Sequence, residues 1–566
     1  MPHDLVITGG TVVDGTGRPP RTADVAVDGD RIAAVGDAAD VGGARRVVRA
    51  DGAVVTPGFV DVHTHYDGQA TWDDRLVPSA WHGVTTVVMG NCGVGFAPVH
   101  GSDHDTLVEL MEGVEDIPGT ALHEGLQWDW ESFPDFLDAL ERRPRDIDVA
   151  AQLPHGALRL YVMGQRGAAR EPATEAEVAE MARLAGQAVD AGALGFTTSR
   201  TRNHRTSRGD WTPTLTAPAD ELAGIARGLG AAGKGVLQVV SDFTDFDQEA
   251  GAILGMAEAS GRPLSISVTQ VGSRPQTWRA ILDGITDANR RGLKVSAQVA
   301  ARPVGVLLGL QATISPIGGS ATARSIGFDL AALRRADVRA TILAEMRDRP
   351  PVFPWTWVFR LNDPPEYEPP ADASIAAEAE RTGTSPEELA YDLALADDGN
   401  GLLYVPFLNY VDGNLEAARE MLVHPHAVLG LADGGAHVGT ICDASFPTTM
   451  LTHWVRDRTR GERLPLEHAV AMQTSRTARM VGLLDRGVLA PGMRADVNVV
   501  DLDRLRLRRP ALTHDLPAGG RRFVQRADGY LHTFVAGVET YESGTATGAL
   551  PGRLVRGAQP APVGVA

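Results

Sequence analysis

Apolar and polar positions alternate in short runs at the start of the chain, over residues 5–7, 11–13, 24–27 and 31–35, with Gly and Asp turns between them. Such runs, bounded by turn residues, predict short strands, so residues 1–57 read as a small antiparallel β unit. The same texture returns at 487–489, 495–500 and 535–538. The economical reading is one β-sandwich built from both chain ends (1–57 and 481–547), with the middle inserted between them. That middle, 58–480, alternates apolar runs with helical stretches. Candidate strands are 60–63, 85–89, 149–153, 194–197, 236–240, 264–268, 294–299 and 428–432. Helical spacing fits between them, as over 175–191, where polar residues interleave with Val178, Met181 and Leu184. Eight strands alternating with helices predict an α/β fold, a closed (β/α)8 TIM barrel.

The seventh and eighth strands are separated by a long insertion, about 300–426. Part of it, from Pro350-Pro351 to Pro369-Pro370, is too rich in proline for regular helix. It reads as a lid or a dimer contact over the barrel mouth, or else as surface decoration. The segment 548–566, rich in Gly, Pro and Ala, reads as a flexible tail.

Composition narrows the partners. A net charge of −19 over 566 residues argues against nucleic acid and against an anionic membrane surface. The first residues lack the basic start of a signal peptide, and no stretch has the unbroken apolar length of a membrane span, so a cytoplasmic protein with a small-molecule substrate is expected. A homo-oligomer is left open. Two cysteines, Cys92 and Cys442, are too few for a disulfide framework.

The candidate chemistry gathers at strand ends. His63 and His65 close an apolar run entered through Pro57-Gly58, and strand alternation points both rings the same way, toward one metal ion. In such a barrel the active site lies at the carboxyl ends of the strands. Cys92 follows the second strand and brings a thiol; Asp433 follows the eighth. These four residues can bind a divalent ion and hold a carboxylate beside its water.

The blocks 57–65 (PGFVDVHTH) and 487–496 (GVLAPGMRAD), with the eighth-strand aspartate, resemble the amidohydrolase superfamily. Within it, 83–93 (GVTTVVMGNCG) and 383–389 (GTSPEEL) resemble the N-acyl-D-amino-acid deacylases. The resemblance spans nearly the whole chain. It implies a metal-dependent hydrolase of a carbon–nitrogen bond, with zinc on His63 and His65. Cys92 would take the ligand position that a carboxylated lysine holds in other branches, and Asp433 the proton of the attacking water.

Departures from that pattern bear on metal count and substrate. The deacylases carry metal histidines at the ends of strands five and six, where Val239 and Val268 align here. Gln270 replaces the lysine that holds the substrate carboxylate, and the tyrosine expected after strand seven is absent from 298–303. One ion rather than two is therefore expected on His63, His65, Cys92 and Asp433, with Gln238, Asp242, His155 or His204 as further candidates. Arg200, Arg202 and Arg302 are candidate carboxylate anchors, beside Gln270 and His437. His437 and Asp443 belong to the loop after strand eight, as orienting or structural groups; Cys442 is not expected to ligate. The alternatives are an ester or lactone hydrolase using the same site, or a lapsed barrel retained as a scaffold.

Overall fold

The computed structural model describes residues 2–37 and 41–563; the last three residues of the tail lie outside them. Eight parallel strand segments form the barrel: β1 (Phe59–Asp61), β2 (Val84–Met89), β3 (Asp148–Ala151, continued by Leu153–Pro154), β4 (Gly195–Arg200), β5 (Val236–Ser241), β6 (Leu264–Val268), β7 (Val295–Val299) and β8 (Ala427–Leu429). Beyond the ends of β1 and β8 the ring closes through a parallel bridge between Thr64 and Gly434. These strands are largely buried on both faces, with small polar residues such as Ser265, Ser267 and Thr197 among the apolar ones.

Between β3 and β4 the expected helix spans Glu175–Ala191. Thr174 and Glu177 cap it reciprocally, Gly192 ends it at φ 118°, and Met181, Ala185, Ala188 and Val189 bury its apolar face. A second helix, α1 (His104–Glu115), lies between β2 and β3 and reaches the barrel mouth with its last residue.

Strands from both chain ends meet in one nine-stranded sheet. Val54–Pro57 lies near its middle, parallel to His3–Val12 and antiparallel to Val497–Val500. Leu5, Val25, Val55, Val497 and Phe534 share its core. Details differ from the pattern reading. Residues 5–7 and 11–13 are one strand with a register shift at Gly10. No strand forms at 487–489, and 535–538 is the turn joining Tyr530–Val535 to Val538–Glu542.

The tail is not loosely held. Pro551 and Gly552 pair with Arg145, Leu554 with Val149, and Gln559 with Leu483; Leu554 and Val555 are buried. Small and proline residues suit this segment because it runs against β3: a side chain at Gly552 would strike the backbone of Ile147 at 2.3 Å.

The insertion has its own three-stranded antiparallel sheet, Gly305–Leu308, Leu403–Pro406 and Phe359–Arg360. A bond from Leu307 N to Thr440 O (2.7 Å) ties it to the loop after β8. The proline-rich part supplies Phe359–Arg360 to this sheet and otherwise forms bends and one 3-10 turn, Trp355–Trp357.

Candidate active site

His63 and His65 lie just past β1, at the carboxyl-terminal mouth of the barrel, each about 1% exposed. Gln298 on β7 receives His63 Nδ1 at 2.6 Å. That leaves Nε2 facing Cys92 Sγ (3.3 Å) and Asp433 Oδ1 (3.4 Å). His65 Nε2 stands 3.6 Å from the same carboxylate oxygen. Burial pushes both imidazoles down, toward the neutral, ligating form.

Cys92 reaches the site because the chain turns sharply after β2. Gly90 takes φ 84°, and a β-carbon there would lie 2.2 Å from Gln152 O. Cys92, Asp433 and His437 all hold positive φ (56°, 49° and 49°), a costly conformation concentrated where the chemistry lies. Cys92 N donates to Gln238 Oε1 at 3.2 Å, and Asp433 N donates to His63 O at 3.1 Å.

The donor atoms of His63, His65 and Cys92 lie within 4.8 Å of one another. Two imidazole nitrogens and a thiolate are a donor set suited to zinc. Burial and the carboxylates of Glu115, Asp433 and Asp67 push the thiol well above its ordinary range, an arrangement that a bound cation reverses. Asp433 stands outside this triad. Burial alone would raise its pKa, but contacts with His65, His63 and His437 more than reverse that and keep the carboxylate ionised.

Other expected residues are placed differently. Alternation along β5 and β6 turns Val239 and Val268 into the apolar packing outside the mouth. The side chains facing inward are Gln238 and Ser267, hydrogen-bonded to each other at 3.3 Å. Neither β5 nor β6 carries a histidine, so the expectation of fewer metal ligands does not depend on that register. Asp242 lines the mouth, held by Thr201 Oγ1 (2.6 Å) and Arg202 N (2.9 Å). His204 also lines it, against Ser199 Oγ (2.9 Å), and burial lowers its pKa to about 3. His155 is buried between Thr198 and Glu221, at 2.8 and 3.0 Å.

The proposed carboxylate anchors are committed elsewhere. Arg200 forms a bidentate pair with Glu249, both bonds 2.7 Å. Arg202 is exposed and outside the cavity lining. Arg302 is buried against Asp443 at 2.7 Å and stacks on Tyr367. Gln270 bonds Asp412 and Val411 N. Arg200 thus satisfies the helix Phe246–Ser260, and Arg302 and Gln270 satisfy neighbouring loops. Cys442 is buried, outside the triad, with its carbonyl on Arg302. His437 does line the cavity, its Nε2 3.5 Å from Glu115 Oε2 and 4.0 Å from Asp433 Oδ2.

Two features were not foreseen. Glu115, the last residue of α1, is about 1% exposed, with Oε1 3.2 Å from His65 Nδ1; His437 N donates to its backbone carbonyl. A signal existed: Leu107, Met111 and Glu115 follow i, i+4, i+8, which sets a charge in line with a buried stripe. The second is a chamber of about 670 Å³ over the triad, walled partly by Val304, Val306, Ile314, Phe407 and Leu408 of the insertion.

Residues 46–541 match the amidohydrolase family. The N-acyl-D-glutamate deacylase of Alcaligenes xylosoxydans xylosoxydans is 32% identical over 510 residues, 88% of each chain. A D-aminoacylase of the same organism is 36% identical over 233 residues, 41% of this chain and 43% of that one. Among solved structures, a D-aminoacylase whose binuclear metal centre shows one-metal activation and second-metal attenuation superposes with a TM-score of 0.66, at 26% identity, covering 98% of this chain and 100% of that one. The N-acyl-D-glutamate deacylase of Bordetella bronchiseptica, complexed with zinc and a phosphonate mimic of the tetrahedral intermediate, superposes at 0.63, with 27% identity and the same coverage. A matched family, a closed barrel and a buried triad at its mouth agree: the chain belongs to the amidohydrolase family.

Proposed function

We propose that this chain hydrolyses the amide bond of an N-acyl amino acid or a related small amide, using one zinc ion on His63, His65 and Cys92. The observation that carries the reading is the placement of one Asp433 oxygen 3.4 and 3.6 Å from the Nε2 atoms of the two histidines, with the carboxylate kept ionised. His63, His65 and Cys92 would hold the zinc ion, which would supply Lewis acidity and lower the pKa of water toward about 7. Asp433 takes the proton of the attacking water and returns it to the leaving nitrogen. Gln298 fixes the ring of His63, and Gln238 holds the backbone N–H of Cys92. His437 lines the chamber, its Nε2 4.0 Å from Asp433 Oδ2.

The lack of histidines on β5 and β6 supports one ion. An intact, buried triad beside an ionised base weighs against a lapsed scaffold. No helix among the described residues is long and apolar enough to cross a membrane.

The test is elemental analysis of the purified protein beside a His63→Ala, His65→Ala double variant, followed by assay against N-acyl amino acids of both configurations. About one equivalent of zinc, lost in the variant, together with acyl release by the wild type, is the expected result. Wild-type protein that takes up no zinc, manganese or iron on reconstitution overturns the reading.

A further inference from the structure

The chamber above the triad has an uneven charge pattern. Val240, Phe243, Val306 and Phe407 give it apolar patches among neutral polar residues such as Asn203 and Ser273, and its volume of about 670 Å³ is that of a small-molecule site. Three carboxylates line it, and two are already engaged. Asp116 accepts from Thr313 Oγ1 (3.0 Å) and Gly439 N (3.2 Å), and Asp242 from Thr201 and Arg202 N. The third is Asp433.

Among the described residues lining the chamber, Arg274 is the single arginine or lysine. It follows β6 in a tight turn closed by its own backbone, Arg274 N donating to Val271 O at 3.0 Å. Its guanidinium has no ion-pair or hydrogen-bond partner among the described residues, although the chain is rich in carboxylates. Of the other strand-end arginines, Arg200 and Arg302 have such partners, and Arg202 is exposed and lies outside the chamber lining. A half-buried arginine in the chamber that also holds His63, Cys92 and Asp433 can present two parallel N–H donors to a planar anion.

We infer that Arg274 is the carboxylate subsite of this enzyme, and that the chamber selects an N-acyl amino acid with one carboxylate and an apolar side chain over a dicarboxylic one. The inference rests on the amide-hydrolase reading above. One guanidinium pairs with one carboxylate. A second, on a glutamate or aspartate side chain, would find no further arginine or lysine among the described lining residues and would meet the like charge of Asp116, Asp242 and Asp433. The apolar patches instead receive a leucine, methionine or phenylalanine side chain.

The experiment compares wild type, Arg274→Ala and Arg274→Lys, each zinc-loaded, on N-acetyl-leucine, N-acetyl-leucinamide and N-acetyl-glutamate in both configurations. Wild type is expected to favour N-acetyl-leucine over N-acetyl-glutamate at least about tenfold in kcat/KM. Arg274→Ala raises KM for N-acetyl-leucine by on the order of 10- to 100-fold with a smaller change in kcat. The wild-type preference for the acid over the carboxamide collapses toward one, and Arg274→Lys recovers part of it. An unchanged KM in Arg274→Ala, or equal turnover of leucine and glutamate derivatives, overturns the inference while leaving the amide-hydrolase reading intact. If no acyl group is released from any compound, that reading fails. Calorimetric binding of N-acetyl-leucine to the zinc-loaded proteins then decides on Arg274: weaker binding in Arg274→Ala upholds the subsite, and equal binding ends it. Thermal melts of both variants guard against misfolding.

Discussion

Glu115 Oε1 lies 3.2 Å from Nδ1 of His65 in a buried position where neither carboxylate oxygen makes a well-aligned hydrogen bond. A carboxylate behind a ligating histidine fixes the ring and its tautomer, presenting Nε2 to the ion. Glu115→Ala is expected to weaken zinc binding by roughly 10- to 100-fold, and Glu115→Gln by less. Chelator competition measures this directly. Equal zinc retention in all three proteins would leave Glu115 as a packing residue only.

Asp433 lies beside the cluster of His63, His65 and Cys92, and its histidine neighbours bring its carboxyl down. Asp433→Asn should lower kcat by on the order of 10²- to 10⁴-fold while the protein keeps its zinc and its melting temperature. A rate within a few-fold of wild type would remove Asp433 from the proton path.

Glu368, in the proline-rich part of the insertion, is held by His453 Nε2 at 3.1 Å and by Arg458 at 3.2 Å. Burial pushes its pKa up, but these partners outweigh it and bring the carboxyl down to about 2. A depressed carboxyl contributes stability above its unfolded pKa of about 4.5, and that contribution is lost as pH falls toward 2. Glu368→Gln should be less stable than wild type at neutral pH, and its melting temperature should fall less steeply between pH 4.5 and 2. Parallel melting curves across that range would contradict this.

Arg486 is fully buried between Asp148 on β3 (2.7 Å), Thr86 on β2 (2.8 Å) and Asp485 (2.9 Å), where the barrel joins the sheet of the chain ends. Arg494 reaches the same Asp148 at 3.0 Å. Removing one member of such a network strands a charge, so Arg486→Met should cost about 3–5 kcal/mol. Pairing it with Asp148→Asn should recover part of that loss, as read from denaturant midpoints. Additive losses in the double variant would show that the two do not act as a unit.

The eight barrel strands were legible because each is a short, largely buried run separated from the next by helical spacing, and the triad because its residues follow two of those runs. What the pattern hid has physical causes. Val239 and Gln238 differ by one step of a period-two strand, and an apolar run does not reveal which parity faces inward. The tail looked loose because docking against β3 demands small residues, the same ones that mark flexible chain. Arg200 and Arg302 looked available because their partners, Glu249 and Asp443, are remote in sequence. Arg274 was passed over because its isolation becomes visible only once every other arginine has been placed.

The strand Val54–Pro57 pairs on one side with Val497–Val500, Pro57 lying opposite Val497, about 440 residues later. During synthesis at about 5–20 residues per second, that edge waits roughly 20–90 s for its partner to leave the ribosome. The emerging amino-terminal strands therefore pass through a long interval with an exposed pairing edge, and the four carboxyl-terminal strands that complete the sheet act as the last step of assembly.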